Sequence, residues 1–139
     1  MLDQDEPQAY SQWEHKSTPT YANGNVCIVG DAAHATTPWQ GSGAGLAIED
    51  AVVLAALLKT VASREDIAPA LKAFDEIRRP RCQRVIDSSR LTGSICCGQL
   101  DGGHDDPEKT KERLTGRWDF IRQFDLDQHI EEALQIMQT

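Results

Sequence analysis

The sequence has no apolar run long enough to form a membrane-spanning helix. Its longest uninterrupted apolar run extends from Ala51 to Leu58, whereas a spanning helix needs about 20 such residues. Met1 is followed by acidic residues, unlike the basic start of a secretory signal. We therefore expect no membrane partner, no secretory signal and a cytoplasmic location.

Positive charge is also scarce. The chain has 14 Lys and Arg residues against 22 Asp and Glu residues, which gives a net charge of -8. An acidic protein repels the phosphate backbone of nucleic acids, so nucleic acid is not an expected partner. The length of 139 residues, with 40% hydrophobic and 26% charged residues, is ordinary for one folded unit and argues against general disorder.

The cysteines show none of the spacings that indicate a metal site. There is no C-x-x-C pair, and no second Cys or His stands at zinc-finger spacing from any cysteine. Reduced thiols and no bound metal are expected. The adjacent Cys96 and Cys97 could form a redox pair, but burial as small apolar side chains is the favoured interpretation.

Hydrophobic patterning predicts a mostly helical chain with one or few strands. Residues 1–24 are interpreted as an irregular lead-in, with a turn at Asn23-Gly24. Asn25–Val29 has the pattern of a strand buried on both faces. A long helix from Leu46 to about Val61 is apolar on nearly every side, which predicts burial in a larger body.

The remaining residues predict four further helical segments. Ala68–Ile77 and Arg81 to about Ile95 are expected to be two helices bent relative to each other at Pro80. Residues 98–107 are expected to form a loop, and residues 108–124 and 127–137 carry helical apolar stripes. We therefore divide the chain into the lead-in, a segment 25–97, the loop and C-terminal helices over 108–139.

A single buried strand raises a problem for a complete domain. Such a strand cannot satisfy its backbone N–H and C=O groups without neighbours. The simplest explanation is that the chain is the C-terminal piece of a larger α/β protein, whose other strands would lie beside Val26–Val29.

The segment 25–97 contains a pattern suited to binding a ligand. A strand ending in Gly30-Asp31 places a carboxylate at the carboxyl edge of a sheet, where α/β folds bind ligands. The alternating glycines Gly41, Gly43 and Gly45 allow close backbone approach at the start of a helix, whose amino end carries about +0.5 charge. A hydroxyl group near Asp31 and an electron-rich atom near the glycines would fit this pattern.

Three alternative motifs fail on spacing. The glycines do not form G-x-G-x-x-G, because Leu46 and Ile48 occupy the third glycine position in the two possible registers. Ser42 is not the centre of G-x-S-x-G, because Gln40 and Ala44 flank it. The sequence also contains no P-loop.

Taken together, the motif resembles the second FAD-binding motif of the single-component flavin-dependent aromatic hydroxylases, and most closely their salicylate-hydroxylase-like members. The residues that carry this resemblance are Gly30-Asp31-Ala32-Ala33-His34, Pro38, Gly41, Gly43, Asp50 and Leu54. A weaker similarity extends to Trp13, Tyr21, Gly24, Arg78-Arg79-Pro80-Arg81, Arg117-Trp118 and Asp125-Leu126.

The resemblance implies a set of cofactor contacts on an α/β fold of the 4-hydroxybenzoate-hydroxylase type. Asp31, with Gly30 and Ala32 beside it, would hydrogen-bond the ribityl chain of FAD. Pro38 would line the flavin face where an aromatic substrate lies, although no residue is assigned as catalytic. The amides of Gly41, Ser42, Gly43, Ala44 and Gly45 would face the pyrimidine edge of the flavin ring.

The resemblance also implies an activity, namely hydroxylation of a phenolic or aromatic acid with NAD(P)H and O2. Such enzymes begin with a G-x-G-x-x-G unit for the FAD pyrophosphate and continue with a substrate-binding sheet, and neither occurs in this sequence. We therefore expect the chain to need a missing N-terminal flavin-binding portion and to be inactive alone. The alternative is a non-catalytic helical interaction module, or a remnant, that keeps the flavin loop only structurally.

Several polar residues near the motif have structural interpretations. His34 is expected to pack and hydrogen-bond beneath the loop. The arginines at 78, 79, 81 and 84 are expected to form internal ion pairs, given the acidic total charge. Trp39 is interpreted either as a pocket wall or as packing filler.

Overall fold

A computed structural model describes residues 11–100 and 106–138. Its first elements are two short antiparallel strands, β1 (Ala22–Asn23) and β2 (Val26–Cys27). Gly24, with a φ of 60°, turns the chain between them, at the predicted turn. The hydrogen bond from the Ile28 N–H to the Tyr21 carbonyl (2.9 Å) extends the pairing.

This hairpin corrects the prediction of a lone, doubly buried strand over Asn25–Val29. β2 is shorter than predicted and pairs with β1, which lies inside the stretch interpreted as an irregular lead-in. Val26 is 69% exposed and Val29 is 43% exposed. Val26 and Val29 are thus left uncovered by the described residues, whereas Ile28 packs against the core. Patterning alone could not reveal the local partner strand.

Helix α1 (Asp31–His34) follows the hairpin, and a single 3₁₀ turn (Pro38–Gln40) leads to helix α2 (Gly43–Leu58). α2 begins three residues before the predicted start at Leu46 and ends before Val61. It buries one face, formed by Leu46, Asp50, Val53 and Leu57. The opposite face is exposed, so burial on nearly every side does not hold within the described residues.

A second 3₁₀ turn (Arg64–Asp66) leads into helix α3 (Ile67–Cys96), which is one continuous helix. The predicted break at Pro80 is therefore wrong. Pro80 is exposed, whereas Arg78, Cys82 and Val85 are buried at helical spacing on either side of it. Packing along this buried face keeps the helix continuous although proline removes one backbone hydrogen bond.

The C-terminal helices are α4 (Pro107–Leu114), α5 (Asp119–Arg122) and α6 (Leu126–Met137). The predicted helix over 108–124 is interrupted by Gly116, whose φ of 74° is not helical. Residues 101–105 of the predicted loop lie outside the described residues, as do residues 1–10 of the lead-in. The division of the chain into four segments stays a prediction.

Helices α2, α3 and α6 pack on one another and form the core. Phe74 and Val85 of α3 meet Val53 and Leu57 of α2 there, and Ala133 of α6 completes the contact. The described residues are mostly helical with two strands, which confirms the predicted helical chain with one or few strands. No helix of the described residues combines the length and apolar character needed to cross a membrane.

Candidate functional site

The Gly30-Asp31 turn lies against the first half of α2. Gly30 has a φ of 58° and donates its N–H to Asp50 Oδ2 at 3.0 Å. A Cβ on Gly30 would lie 3.5 Å from the Cβ of Ala47. Asp31 and Ala32 follow at the start of α1 and are exposed, and the Asp31 carboxylate has no hydrogen-bond partner among the described residues.

The glycine-rich loop turns tightly before α2. Pro38 begins the 3₁₀ turn and is exposed, and its carbonyl accepts the N–H of Gly41 at 2.9 Å. Gly41 has a φ of 64°, a conformation that favours glycine. The hydroxyl of Ser42 donates to the Gln40 carbonyl at 3.0 Å. This contact is a further reason not to assign Ser42 as a nucleophile.

The amino end of α2 is open. The Leu46 N–H is the first to bond within the helix, to the Ser42 carbonyl at 2.9 Å. The amides of Gly43, Ala44 and Gly45 therefore lack intrahelical acceptors. A Cβ on Gly45 would meet no described atom within 4 Å. Packing within the described chain therefore does not require glycine here, and the bare backbone leaves room for an electron-rich group.

The two parts of the predicted site are connected through α2. Gly30 approaches α2 at Ala47 and Asp50, while a Cβ on Gly43 would lie 3.6 Å from Thr36 Cγ2. An exposed carboxylate at Asp31 thus follows a turn that packs on the same helix whose free amides begin at Gly43. The combination fits a ligand with both hydroxyl groups and an electron-rich ring edge, as FAD has.

A buried charge cluster lies directly beneath the turn, with Asp50 at its centre. Asp50 Oδ2 also accepts from His34 Nε2 at 2.6 Å, and Asp50 Oδ1 accepts from Arg78 Nε at 2.9 Å. All three side chains are at most 1% exposed. Burial alone would raise the pKa of Asp50, but the hydrogen bonds from His34, Gly30 and Arg78 outweigh it and lower that pKa.

Burial and hydrogen bonding also oppose each other in setting the pKa of His34, but there the net shift is upward. Burial alone would lower the pKa of His34, but its hydrogen bond with Asp50 and the neighbouring Cys82 raise it to about 10. An imidazolium beside a carboxylate is the state these shifts favour. His34 thus has the structural role beneath the loop that the sequence predicted.

Arg78 links the cluster to two helices. Besides Asp50, its guanidinium contacts Glu49 at 2.8 Å and the Leu46 carbonyl at 3.3 Å, both on α2. It also lies 3.2 Å from His129 Nε2 on α6. Burial, followed by the charge of Arg78, lowers the pKa of His129, which favours a neutral ring there.

The other predicted arginine contacts are also internal. Arg79 pairs with Asp75 at 2.9 Å, and Arg81 pairs with Glu49 at 3.1 Å. Arg84 lies over the ring of Phe120 at 4.4 Å. The expected internal ion pairs are confirmed for three of the four arginines, and Arg84 makes a cation–π contact.

His34, Asp50 and Cys82 bring potential metal-ligand atoms within 4.8 Å of one another. The carboxylate oxygens of Asp50 already accept hydrogen bonds from Gly30, His34 and Arg78, and the Cys82 thiol donates to Oδ1 at 4.0 Å. The guanidinium of Arg78 lies against them. A second cation would face direct repulsion from Arg78. The cluster is therefore suited to an internal ion pair and not to a metal.

Sequence reasoning placed Asp50 in the motif but gave it no role, and it did not identify Arg78 as buried. The available signal was that Glu49 and Asp50 interrupt an otherwise apolar helix, since a charge in such a helix needs a partner. The expected burial of Cys96 and Cys97 is wrong, because both are exposed at the end of α3.

The 3₁₀ turn is fastened to α3 by hydrogen bonds. The hydroxyls of Thr37 and Ser89 lie 2.9 Å apart, and the Ser89 hydroxyl donates to the Thr37 carbonyl at 2.6 Å. The Gln40 side chain donates to Ser88 and Thr92. These contacts hold the 3₁₀ turn that begins at Pro38 against α3.

Trp39 packs directly on the backbone of α3 at Gly93, where an added Cβ would lie 2.5 Å from Trp39 Nε1. We expect Gly93→Ala to displace Trp39 and to destabilise the chain by about 1–3 kcal/mol through overpacking. Urea unfolding measures this loss. Gly45→Ala is the matched control, because its Cβ meets no described atom. Equal stability of the two variants would contradict close packing of Trp39 on Gly93.

Comparisons with known proteins agree with this geometry. The family described as FAD binding domain matches residues 2–89. The chain is 39% identical to 6-methylsalicylate 1-monooxygenase of Aspergillus terreus over 94% of this chain and 29% of the relative. It is 38% identical to salicylate hydroxylase of Pseudomonas putida, over 91% of this chain and 30% of the relative.

A solved structure of a salicylate hydroxylase substrate complex superposes with a TM-score of 0.78 and 37% identity. That match covers 84% of this chain and 29% of the solved chain. The chain belongs to the FAD binding domain family. The predicted resemblance to salicylate-hydroxylase-like flavin monooxygenases and the predicted FAD-binding fold are confirmed, and the chain spans about three tenths of the length of these relatives.

Proposed function

We propose that this chain supplies the part of an FAD site that contacts the ribityl chain and flavin ring, in a monooxygenase that hydroxylates a phenolic or aromatic acid with NAD(P)H and O2. The observation that carries the proposal is the open amino end of α2, the helix on which the Gly30-Asp31 turn packs, together with an exposed Asp31 carboxylate that has no hydrogen-bond partner among the described residues. The salicylate-acting relatives support the substrate class.

Each predicted residue has a physical role in this proposal. Asp31 accepts a hydrogen bond from a ribityl hydroxyl, and the backbone of Gly30 and Ala32 sets its position. Pro38 lines the flavin face on which the aromatic ring of the substrate lies. The amides over 42–45 face the pyrimidine edge of the flavin. The predicted contact of the Gly41 amide is not available, because its N–H donates to the Pro38 carbonyl at 2.9 Å, and Gly41 instead shapes the turn.

The bound flavin supplies the redox chemistry, and the protein supplies position and electrostatics. The amino end of α2 favours negative charge nearby by about 0.3–1 kcal/mol, and by up to about 2 kcal/mol in a partly buried site. Free amides over 43–45 at the pyrimidine edge therefore stabilise an anionic reduced cofactor more than a neutral oxidised one.

An exposed apolar face identifies where the rest of the fold would pack. Ile48 is 64% exposed, Val52 39% and Leu58 42%, all on the outer side of α2. Val26 and Val29 are exposed near the hairpin. We propose that these side chains contact the remaining FAD-binding portion found in the longer relatives, and that the isolated chain has little or no hydroxylase activity.

The test is co-expression of this chain with the N-terminal section of a relative such as the Pseudomonas putida salicylate hydroxylase, followed by measurement of retained FAD. We expect Asp31→Ala to weaken FAD binding about tenfold or more, because a hydrogen bond to a charged group is worth about 1.5–3 kcal/mol. Gly45→Ala is expected to weaken binding also, since its methyl group enters the space assigned to the flavin.

Glu65→Ala is the control for these variants, because Glu65 is exposed in the 3₁₀ turn before α3. It should leave FAD retention unchanged. If Asp31→Ala retains FAD as well as the wild type does, Asp31 does not belong to the FAD site. If Gly45→Ala does so, the amino end of α2 does not belong to it.

A second candidate function is a non-catalytic helical interaction module. The exposed apolar face of α2 favours this function, because exposed apolar faces mark sites where partner proteins bind, with or without a flavin. Titration of the isolated chain with FAD, together with its oligomeric state, discriminates between the two candidates. Stoichiometric FAD binding by a folded monomer would contradict the interaction module.

A further inference from the structure

We propose that Asp50 is a positioning residue of the flavin site, which holds the Gly30-Asp31 turn in register with the amino end of α2. This inference rests on the proposed function and deepens it. Asp50 does not reach the ligand side of the turn, because it is 0% exposed. It acts through the backbone N–H of Gly30, which it accepts at 3.0 Å.

The contact matters because of where it falls in the chain. Gly30 has a positive φ and immediately precedes the carboxylate assigned to the ribityl chain. Asp50 lies on the second turn of α2, after the free amides over 43–45. The Asp50 side chain therefore fixes the distance between the Asp31 carboxylate and the amides over 43–45, the two groups that would bind the cofactor.

Three short hydrogen bonds hold the Asp50 carboxylate in place, and the Cys82 thiol adds a longer contact to Oδ1 at 4.0 Å. His34 Nε2 and the Gly30 N–H share Oδ2, while Arg78 Nε occupies Oδ1. Arg78 also contacts the Leu46 carbonyl on the first turns of α2. The carboxylate is thus fixed from three sides, and a change in its position moves the turn relative to the helix.

The decisive variant is Asp50→Asn, which keeps the side-chain size. An amide has one oxygen and one NH2 group, so it cannot accept from all three donors. The matched control is Asp75→Asn. Asp75 is likewise buried, accepts a backbone N–H (Tyr21, 2.9 Å) and pairs with an arginine (Arg79, 2.9 Å). It contacts the hairpin and not the flavin turn.

Two measurements separate positioning from stability. The first is FAD retention by the co-expressed assembly, at a temperature where both variants are folded. The second is the amide NMR spectrum of the 139-residue chain, followed at Asp31 and at residues 43–45. We expect Asp50→Asn to weaken FAD retention at least tenfold and to shift these amides. Asp75→Asn should lose stability and leave both readouts unchanged.

Equal FAD retention in the two variants, with unshifted amides at Asp31 and 43–45, would overturn the inference and leave Asp50 a purely structural residue. If the wild-type assembly retains no FAD, the proposed function fails. In that case the amide shifts alone decide whether Asp50 sets the geometry of the turn, so the two failures are distinguishable.

Discussion

Replacement of Arg78 by alanine is expected to destabilise the chain by about 3–5 kcal/mol, the loss typical of breaking a buried ion pair by removing one partner. The guanidinium is fully buried and contacts Asp50 at 2.9 Å and Glu49 at 2.8 Å. Without it, the carboxylate of Asp50 stays buried with His34 as its only cationic neighbour among these contacts. Unfolding in urea, monitored by far-UV circular dichroism, measures the loss.

Arg79→Ala is the matched control, because Arg79 is the next residue of the same helix and the substitution is the same. Its side chain is 38% exposed and pairs with Asp75 within α3. Such partly exposed pairs contribute about 0–1 kcal/mol. Arg78→Lys keeps the charge but loses the planar fork, so it should fall between the two. A loss in Arg78→Ala no larger than that in Arg79→Ala would contradict the role of Arg78 as the central cation.

Local signals predicted the helices, and tertiary contacts decided where they end. Apolar spacing identified α2, α3 and α6, but it could not show that α3 continues through Pro80. The deciding factor was the buried face on either side of that residue, which depends on α2 and α6. The interruption at Gly116 was missed for a related reason, since glycine can occur within a helix and only its φ shows the break.

The candidate site was predictable where its residues are close together in the sequence. Glycines at alternating positions and a carboxylate after a tight turn are visible in the sequence. The support beneath them was less visible, because the partners of Asp50 lie on two segments far from it in the chain, the turn over residues 30–34 and α3. Gly30, His34 and Arg78 are 20, 16 and 28 residues from Asp50 in the chain, and no local pattern connects them.

Stability is expected to fall at alkaline pH because of His34. The pKa of His34 is raised from 6.5 to about 10 in the folded chain, despite the opposing effect of burial. The folded state therefore holds this proton more tightly than the unfolded state. The contribution of His34 is fully present below pH 6.5 and is lost as the pH rises toward 10. A shift of this size corresponds to about a few kcal/mol.

Asp50 acts at the other end of the pH range. Its pKa is lowered from 3.8, so its contribution is present above pH 3.8 and is lost as the pH falls through the folded value. Both contributions are complete between the two ordinary values, 3.8 and 6.5. The ion pair therefore stabilises the chain most in the weakly acidic range.

The comparison that isolates His34 is the wild type against His34→Gln, with the free energy of unfolding measured from pH 6 to pH 10. Cys82 and Tyr21 lie next to His34 and are present in both proteins. The stability advantage of the wild type should shrink as the pH rises, and the ¹⁵N signals of the His34 ring should show an imidazolium at neutral pH. Nδ1 has no hydrogen-bond partner among the described residues. Titration of His34 near 6.5 or below would therefore identify a neutral ring that donates only through Nε2, and would contradict the ion pair with Asp50.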